Sequence, residues 1–262
     1  MQQGQSLLHL MSFSNGGYGS AFASAFALTF AVSAGSFTVG SGLGIGGALA
    51  KLSKSPWLRV ASRSYTTVVR ALPELLLLLV AFYAGAPALE ALARHAHLVS
   101  PTFEFDPFVV AVASLGFIQG AYLTDIFRGA MIAVPAGQIE AALAFGVSRI
   151  QVFARVRLPL AARLALPGVG NIWLNATKDA SFISVLGSFS DLLKTSAMAA
   201  GATRHYLFFY LVTAAFFLLL SLISMRTYDS VYQKCLHIHL AMNGAEDFSA
   251  MFSYLDSRHD AV

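Results

Sequence analysis

Eight polar side chains lie within apolar stretches of this sequence and could bind a polar solute. They are Gln119, Tyr122, Asp125, Asn171, Asn175, Lys178, Asp179 and Ser181. Amides and hydroxyls donate and accept hydrogen bonds, while Asp and Lys pair with opposite charges. Ionisable groups within a membrane are costly and normally face protein or a water-filled path. We therefore take these eight as candidate residues of a substrate path.

The spacing of these residues places them on helix faces but leaves their role open. Gln119, Tyr122 and Asp125 follow one another at three-residue steps, so they share a face. Asp125 and Arg128 are also three apart, so they could pair with each other instead of binding cargo. A second stripe is formed by Gly168, Asn171, Asn175 and Lys178, which recur at i, i+3, i+7 and i+10, and it serves either the path or helix packing.

The composition indicates an all-α membrane protein. Hydrophobic residues make up 56% of the 262, and charged residues make up 11%, against roughly 25% in soluble domains. A helix needs about 20 apolar residues to cross a bilayer. Five such stretches are predicted, at about 21–50, 67–92, 108–134, 163–187 and 206–228. They leave a segment at 1–20, a basic connection at 51–70, polar connections at 90–107 and 188–205, and a tail at 231–262.

A polar, basic segment at 140–159 interrupts the apolar pattern between the third and fourth stretches. Ile139, Ala142, Leu143 and Gly146 fall at i, i+3, i+4 and i+7, which predicts one face of a helix. Gly146 is expected to end that helix, and a second short helix is expected from about Ser148. Such a segment can lie at a membrane surface and present short side chains to a partner.

This segment resembles the coupling loop, called the EAA loop, of ABC importer membrane subunits. Glu140-Ala141-Ala142 is followed after three residues by Gly146, and nine residues later by Val156-Arg157-Leu158-Pro159, where Val156 replaces the usual Ile. Residues 120–146 and 166–187 are similar to the polar amino-acid branch, closest to the histidine/lysine/arginine/ornithine and opine permease subunits. The run 70–75 also resembles that branch, with Ala71 for the usual Gly. We expect Glu74 there to cap the helix at the positive end of its dipole, in preference to a role in substrate binding.

The resemblance implies a type I importer permease with five transmembrane helices and a coupling loop at 135–162. It implies docking on the ATPase through Glu140, Ala141, Ala142, Gly146, Leu158 and Pro159. The implied partners are two ATPase subunits, an extracytoplasmic substrate-binding protein and a second homologous permease subunit, more often a different chain than a second copy. ATP and Mg would be used by those ATPases, with no cofactor or metal in this chain.

The sequence lacks the motifs of common enzymes. It contains no GxxxxGK[ST], HExxH or GxSxG, and its single Cys, Cys235, excludes an internal disulfide. Any ATP-driven step therefore requires another polypeptide. Basic residues are dispersed over loops, so the net charge of +4 predicts no nucleic-acid partner.

The basic residues predict the orientation in the bacterial inner membrane. Of the 17 Lys and Arg, most lie in 51–70, 128–163 and after 225. By the positive-inside rule these regions are cytoplasmic, as is the C-terminus. Five crossings then place the N-terminus outside.

The sequence is compatible with several functions. A basic amino acid or opine fits Asp125 or Asp179, whereas Lys178 could meet an α-carboxylate. Another polar amino acid is the alternative within the same family. From other classes, an ion-coupled secondary transporter could relay protons through Asp125, Lys178 and Asp179, and a membrane scaffold would need none of them.

Overall fold

A computed structural model describes residues 10–13, 17–186 and 189–243, and every regular element within these ranges is a helix. The predicted all-α class is therefore confirmed for this part of the chain. Two compact units are present, Met1–Ser221 and Leu222–Val262. All of the predicted functional residues belong to the first unit.

The first helix, α1, spans Gly19–Leu52, and α4 spans Pro107–Ala133. Their contacts advance in the same direction, because Gly35 meets Val112 and Gly40 meets Gly116. The two helices therefore run parallel. A Cβ on Gly40 would lie 3.0 Å from the Gly116 carbonyl oxygen, so the backbones approach closely.

A stripe of small side chains lies buried on one face of α1. Thr29, Ser33 and Ser36 are fully buried, as is Gly40 on the same face. Each hydroxyl bonds a carbonyl of its own helix, so no polar group is left unsatisfied there. The stripe therefore serves helix packing.

The segment at 51–70 is mostly helical, contrary to the predicted connection. Helix α2 spans Pro56–Ala71 and α3 spans Glu74–His95, with a π turn inside α3 at Ala81–Gly85. Leu72 between them is extended, with φ −104° and ψ 148°. Because Pro73 disfavours helical backbone at the preceding residue, the predicted span from 67 is divided there.

After α4 come α5 at Ala136–Ala144, α6 at Arg149–Val152 and α7 at Leu158–Asp179. A 3-10 helix at Ala180–Leu186 follows α7. The predicted fourth span, 163–187, therefore consists of α-helix up to Asp179 and of 3-10 helix after it. Gly187, the last residue of that span, lies outside the described residues.

The predicted connection at 188–205 contains a further helix, α8, at Leu192–Thr203. The buried Asp191 caps it by accepting hydrogen bonds from the backbone N–H groups of Leu193 and Lys194, at 3.2 and 3.3 Å. The last helix, α9, spans Tyr206–Asn243. Most of the predicted 231–262 tail, from 244 onward, lies outside the described residues.

Four helices of the described chain are long and apolar enough to cross a membrane. They are α1, α3, α4 and the Tyr206–Tyr228 part of α9. Helix α7 has 22 residues but is not among these four, and it contains Arg163, Asn171, Asn175, Lys178 and Asp179. The fourth predicted span is thus a helix that needs polar surroundings.

Candidate functional site

Gly146 ends the first helix of the coupling loop. Its φ of 77° lies in the left-handed region, which side chains with a Cβ disfavour. The Gly146 N–H donates to the Leu143 carbonyl at 2.9 Å, and the Val147 N–H donates to the Ala142 carbonyl at 3.3 Å. These two bonds form a Schellman motif. The break predicted at Gly146 is confirmed, and its cause is the backbone conformation.

The second half of the loop is fixed by Ser148. Its hydroxyl accepts from the Gln151 N–H at 3.4 Å, and the Gln151 side chain accepts from the Ser148 N–H, so α6 begins with a capping box. The start predicted near Ser148 is confirmed. A π turn at Phe153–Arg157 then leads directly into α7. Helix α7 begins at Leu158, within the predicted 135–162 loop, and Pro159 suits the first turn of a helix.

The loop presents both short and large apolar side chains at its surface. Glu140, Ala141, Gly146, Leu158 and Pro159 are exposed, and Ala142 is partly buried. Phe145 is 89% exposed and Ile150 is 81% exposed. Exposed aromatic and branched side chains so close together are typical of a contact surface. Neither residue is among the contact residues predicted from the sequence, although a large apolar side chain in a polar loop indicates a contact surface.

The same loop is attached firmly to the helices above it. The Arg157 guanidinium donates to the Met131 carbonyl near the end of α4, at 3.1 Å from Nη2. Ile139 of α5 packs against an apolar cluster formed by Ala130, Met131, Val134, Ala161 and Ala165. A force on α5 therefore reaches the end of α4 and the beginning of α7 through packed contacts.

Three helices meet at Asp125, whose side chain is 32% exposed. The Lys51 Nζ of α1 lies 2.6 Å from Asp125 Oδ1, and the Arg70 Nη1 of α2 lies 2.5 Å from Oδ2. Lys51 also donates to the Thr66 hydroxyl at 2.6 Å. The alternative of a pair with Arg128 is wrong, since Asp125 bonds cations from two other helices. We call Lys51, Asp125 and Arg70 the ion triad.

Tyr122 connects the ion triad to an acidic site. The Arg70 guanidinium lies over the Tyr122 ring, 5.4 Å from its centre, as in a cation–π contact. Glu74, in the first turn of α3, interacts with both Tyr122 and Asp179. Asp179 is half-buried at the end of α7, and Lys178 precedes it. Glu74 thus interacts with Tyr122 of α4 and Asp179 of α7, which its position in the sequence does not predict.

The polar stripe of α7 points away from the helices of this chain. Asn171, Asn175 and Lys178 are all exposed, whereas α7 packs on α4 through Ala161 and Ala165. Gly168, which the spacing places in the same stripe, meets Ile126 of α4 instead. Ser181 uses its hydroxyl to bond the Lys178 carbonyl at 2.7 Å. The exposed amides and ammonium are therefore available to a solute or another subunit.

Gln119 is separated from the other predicted path residues. It is 3% exposed, and neither amide atom has a hydrogen-bond partner among the described residues. A Cβ on Gly40 would lie 3.1 Å from the Gln119 Cβ, so Gln119 faces the α1 interface. Sharing a helix face with Tyr122 does not bring it to an open surface.

A cavity of about 170 Å³ lies near the loop, between α1, α4 and α7. Its lining consists only of apolar residues, among them Ile45, Phe127 and Ala165. A charged solute would lose its hydration there without compensation. The polar region around Glu74 and Asp179 is thus the better candidate site.

Comparison with known proteins identifies the family. The model of the binding-protein-dependent transport system inner membrane component family matches residues 40–236. This chain belongs to that family. The octopine transport system permease protein OccQ of Rhizobium meliloti is 39% identical over 227 residues, covering 84% of this chain and 92% of the relative. The histidine/lysine/arginine/ornithine permease protein HisQ of Escherichia coli is 38% identical over 182 residues, covering 70% and 78%.

Solved structures agree with this assignment. The crystal structure of an amino acid ABC transporter with histidines matches 83% of this chain and 95% of that chain, with a TM-score of 0.71 and 25% identity. The MetNI methionine ABC transporter in an inward-facing conformation has the same fold, with a TM-score of 0.64 at 14% identity, over 83% of this chain and 97% of that chain. As an inner membrane component of this family, the chain is a multi-pass permease subunit of an ABC importer.

Proposed function

We propose that this permease subunit imports a basic amino acid or an opine, driven by separate ATPase subunits. The observation that carries the substrate class is the electrostatic interaction between the carboxyl groups of Glu74 and Asp179, with Lys178 directly before Asp179 in the sequence. The relatives named for octopine and for histidine, lysine, arginine and ornithine support the same class.

The charges of this region complement those of a basic amino acid. Such a substrate carries an α-ammonium, a side-chain cation and an α-carboxylate. Two carboxylates can pair with the two cations, and Lys178 can pair with the substrate carboxylate. Asn171 and Asn175 continue the polar surface along α7. Asp125 is the weaker candidate for cargo, because two cations of this chain already neutralise it.

Energy reaches this region from ATPase subunits that bind the coupling loop. Glu140, Ala141, Ala142, Gly146, Leu158 and Pro159 form the proposed contact, and we add Phe145 and Ile150 because of their exposure. ATP and Mg are used on those partners. Closure of the ATPase pair displaces the loop, and the helices then open the substrate path to the other side of the membrane.

The remaining partners follow from the surfaces that this chain leaves uncovered. The exposed stripe of α7 requires polar surroundings within a membrane, which a second homologous permease subunit would supply. We propose a different chain as that subunit. A substrate-binding protein delivers cargo from outside, where the N-terminus also lies, and the C-terminus is cytoplasmic.

The complete transporter, reconstituted in liposomes with its ATPase and binding protein, tests the substrate site. Radiolabelled arginine, histidine, octopine and glutamine are supplied separately, with and without ATP. We expect ATP-dependent uptake of at least one of the first three. Asp179→Asn and Glu74→Gln should each lower that uptake about tenfold or more, equivalent to about 1.4 kcal/mol of lost binding to the charged substrate.

Glu90→Gln is the matched control, since Glu90 lies on the same helix as Glu74 but pairs with Arg94 at 3.9 Å. It should leave uptake unchanged. Uptake of glutamine alone would point to another polar amino acid as the substrate. Uptake that follows an ion gradient without ATP would contradict the importer and favour secondary transport.

A further inference from the structure

The ion triad joins three helices through one carboxylate. Lys51 belongs to α1, Arg70 to α2 and Asp125 to α4, and both cations lie within 2.6 Å of Asp125 oxygens. A largely buried ammonium such as that of Lys51 is costly unless it is paired. The triad therefore holds the three helices in a fixed arrangement for as long as both contacts persist.

The two contacts are unequal. The Lys51 side chain is 8% exposed and is also bonded to Thr66, whereas the Arg70 side chain is 48% exposed. Water can replace the Asp125 carboxylate around Arg70 much more easily than around Lys51. Lys51 is thus the permanent partner of Asp125, and Arg70 is the partner that can separate.

The position of Arg70 connects the loop with the substrate region. Asp125 lies on α4, whose end continues through Val134 and Pro135 into α5 of the coupling loop. Arg70 precedes the break at Leu72, and Glu74 follows that break. The contact between Arg70 and Asp125 is therefore a direct link between the helix that the ATPase moves and the segment that carries Glu74.

We propose that the ion triad couples displacement of the loop to the substrate site, with Arg70 as the contact that breaks and re-forms during transport. This inference rests on the proposed importer function. It gives Asp125 and Arg70 a positioning role in place of contact with cargo. When Arg70 is attached, α2 and the beginning of α3 follow α4; when it separates, Glu74 is free to move relative to α4.

The test measures how much ATP is hydrolysed for each imported arginine by the reconstituted complete transporter. Arg70→Gln removes the separable contact, and Asp125→Asn removes the charge that both cations share. Each should raise the ATP consumed per arginine about fivefold or more, the range expected for loss of a coupling interaction. Arg70→Lys keeps the charge and should restore most of the coupling. Arg128→Gln, one turn further along α4 and outside the triad, should have no effect.

A double variant separates coupling from simple loss of stability. If both residues act through one contact, Arg70→Gln combined with Asp125→Asn should be no worse than Asp125→Asn alone. Should Asp125→Asn fail to assemble, the half-exposed Arg70 variants decide the question by themselves. Spin labels at Gln138 of α5 and Leu89 of α3 give a second readout. The change in the distance between the two labels on addition of ATP should differ between the Arg70→Gln complex and the unaltered complex.

The outcomes distinguish the two proposals. No ATP-driven uptake of arginine, histidine or octopine by the unaltered complex would overturn the importer function, and the coupling role with it. Normal uptake together with an unchanged ATP-to-arginine ratio in Arg70→Gln and Asp125→Asn would overturn the coupling role alone. Additive losses in the double variant would also overturn it, because Arg70 would then act elsewhere.

Discussion

Gly146 is important for its backbone conformation as well as for its small size. A Cβ there would meet nothing within 4 Å in this chain, but the φ of 77° would strain any ordinary residue by about 1–2 kcal/mol. Gly146→Leu should therefore misplace α6 relative to α5 and lower ATP-driven uptake several-fold. The amount of protein in the membrane should stay the same. Uptake by the reconstituted transporter and immunoblots of membranes measure the two quantities.

Gly146→Asn is the comparison that identifies the cause. Asn tolerates left-handed backbone better than other residues, so it should preserve the loop and most of the uptake. Equal losses with Asn and Leu would indicate instead that the ATPase needs the bare backbone at Gly146. Normal uptake with Leu would contradict the coupling role of this loop.

The charged residues show what spacing can and cannot reveal. A three-residue interval correctly identifies neighbours on one helix, which is why Arg128 was a reasonable partner for Asp125. The actual partners, Arg70 and Lys51, lie 55 and 74 residues away in sequence. Pairing across helices depends on tertiary packing, which helical periodicity does not contain. Tyr122 and Asp179, which interact with Glu74, also lie on other helices, so helical spacing does not predict them either.

Helices α1 and α4 depend on the absence of side chains at their contact. A Cβ on Gly116 would lie 2.8 Å from the Val39 side chain and 2.9 Å from the Ser36 carbonyl oxygen. Gly116→Val should therefore separate the helices, at a cost of about 1–3 kcal/mol in stability, and lower the melting temperature of the purified protein. Gly42→Val is the control, since a Cβ on Gly42 meets nothing within 4 Å. Equal melting temperatures for Gly116→Val and Gly42→Val would show that the contact between α1 and α4 tolerates a larger side chain.

Helix ends were predictable where local chemistry decides them. Gly146 and Ser148 act within their own turns, and the sequence analysis identified both. The basic residues of 51–70 predict a connection, but those in helix α2 lie on one exposed face, while Ser62, Thr66 and Val69 are buried on another. The break before Pro73 could have been found, since a residue preceding proline avoids helical backbone.

At the scale of the whole molecule, the number of crossings depends on α7. Composition alone identifies four spanning helices in the described chain, and these would leave both termini on one side. If α7 and the following 3-10 helix also cross, the C-terminus lies opposite the N-terminus. The coupling loop and α8 then lie on opposite sides of the membrane. The polarity that weakens α7 as a membrane span is the same polarity that makes it a candidate for the substrate path.

Single cysteines read by a membrane-impermeant maleimide in intact cells decide between these arrangements. With Cys235→Ser as background, Thr102→Cys reports the connection between α3 and α4, Gln138→Cys reports the coupling loop and Ala202→Cys reports the end of α8. All three positions are exposed. If α7 crosses and the loop is cytoplasmic, the maleimide should label Thr102→Cys and Ala202→Cys in intact cells, and Gln138→Cys only after permeabilisation. Labelling of Ala202→Cys only after permeabilisation would mean that α7 does not cross, and labelling of Gln138→Cys in intact cells would invert the orientation inferred from the basic residues.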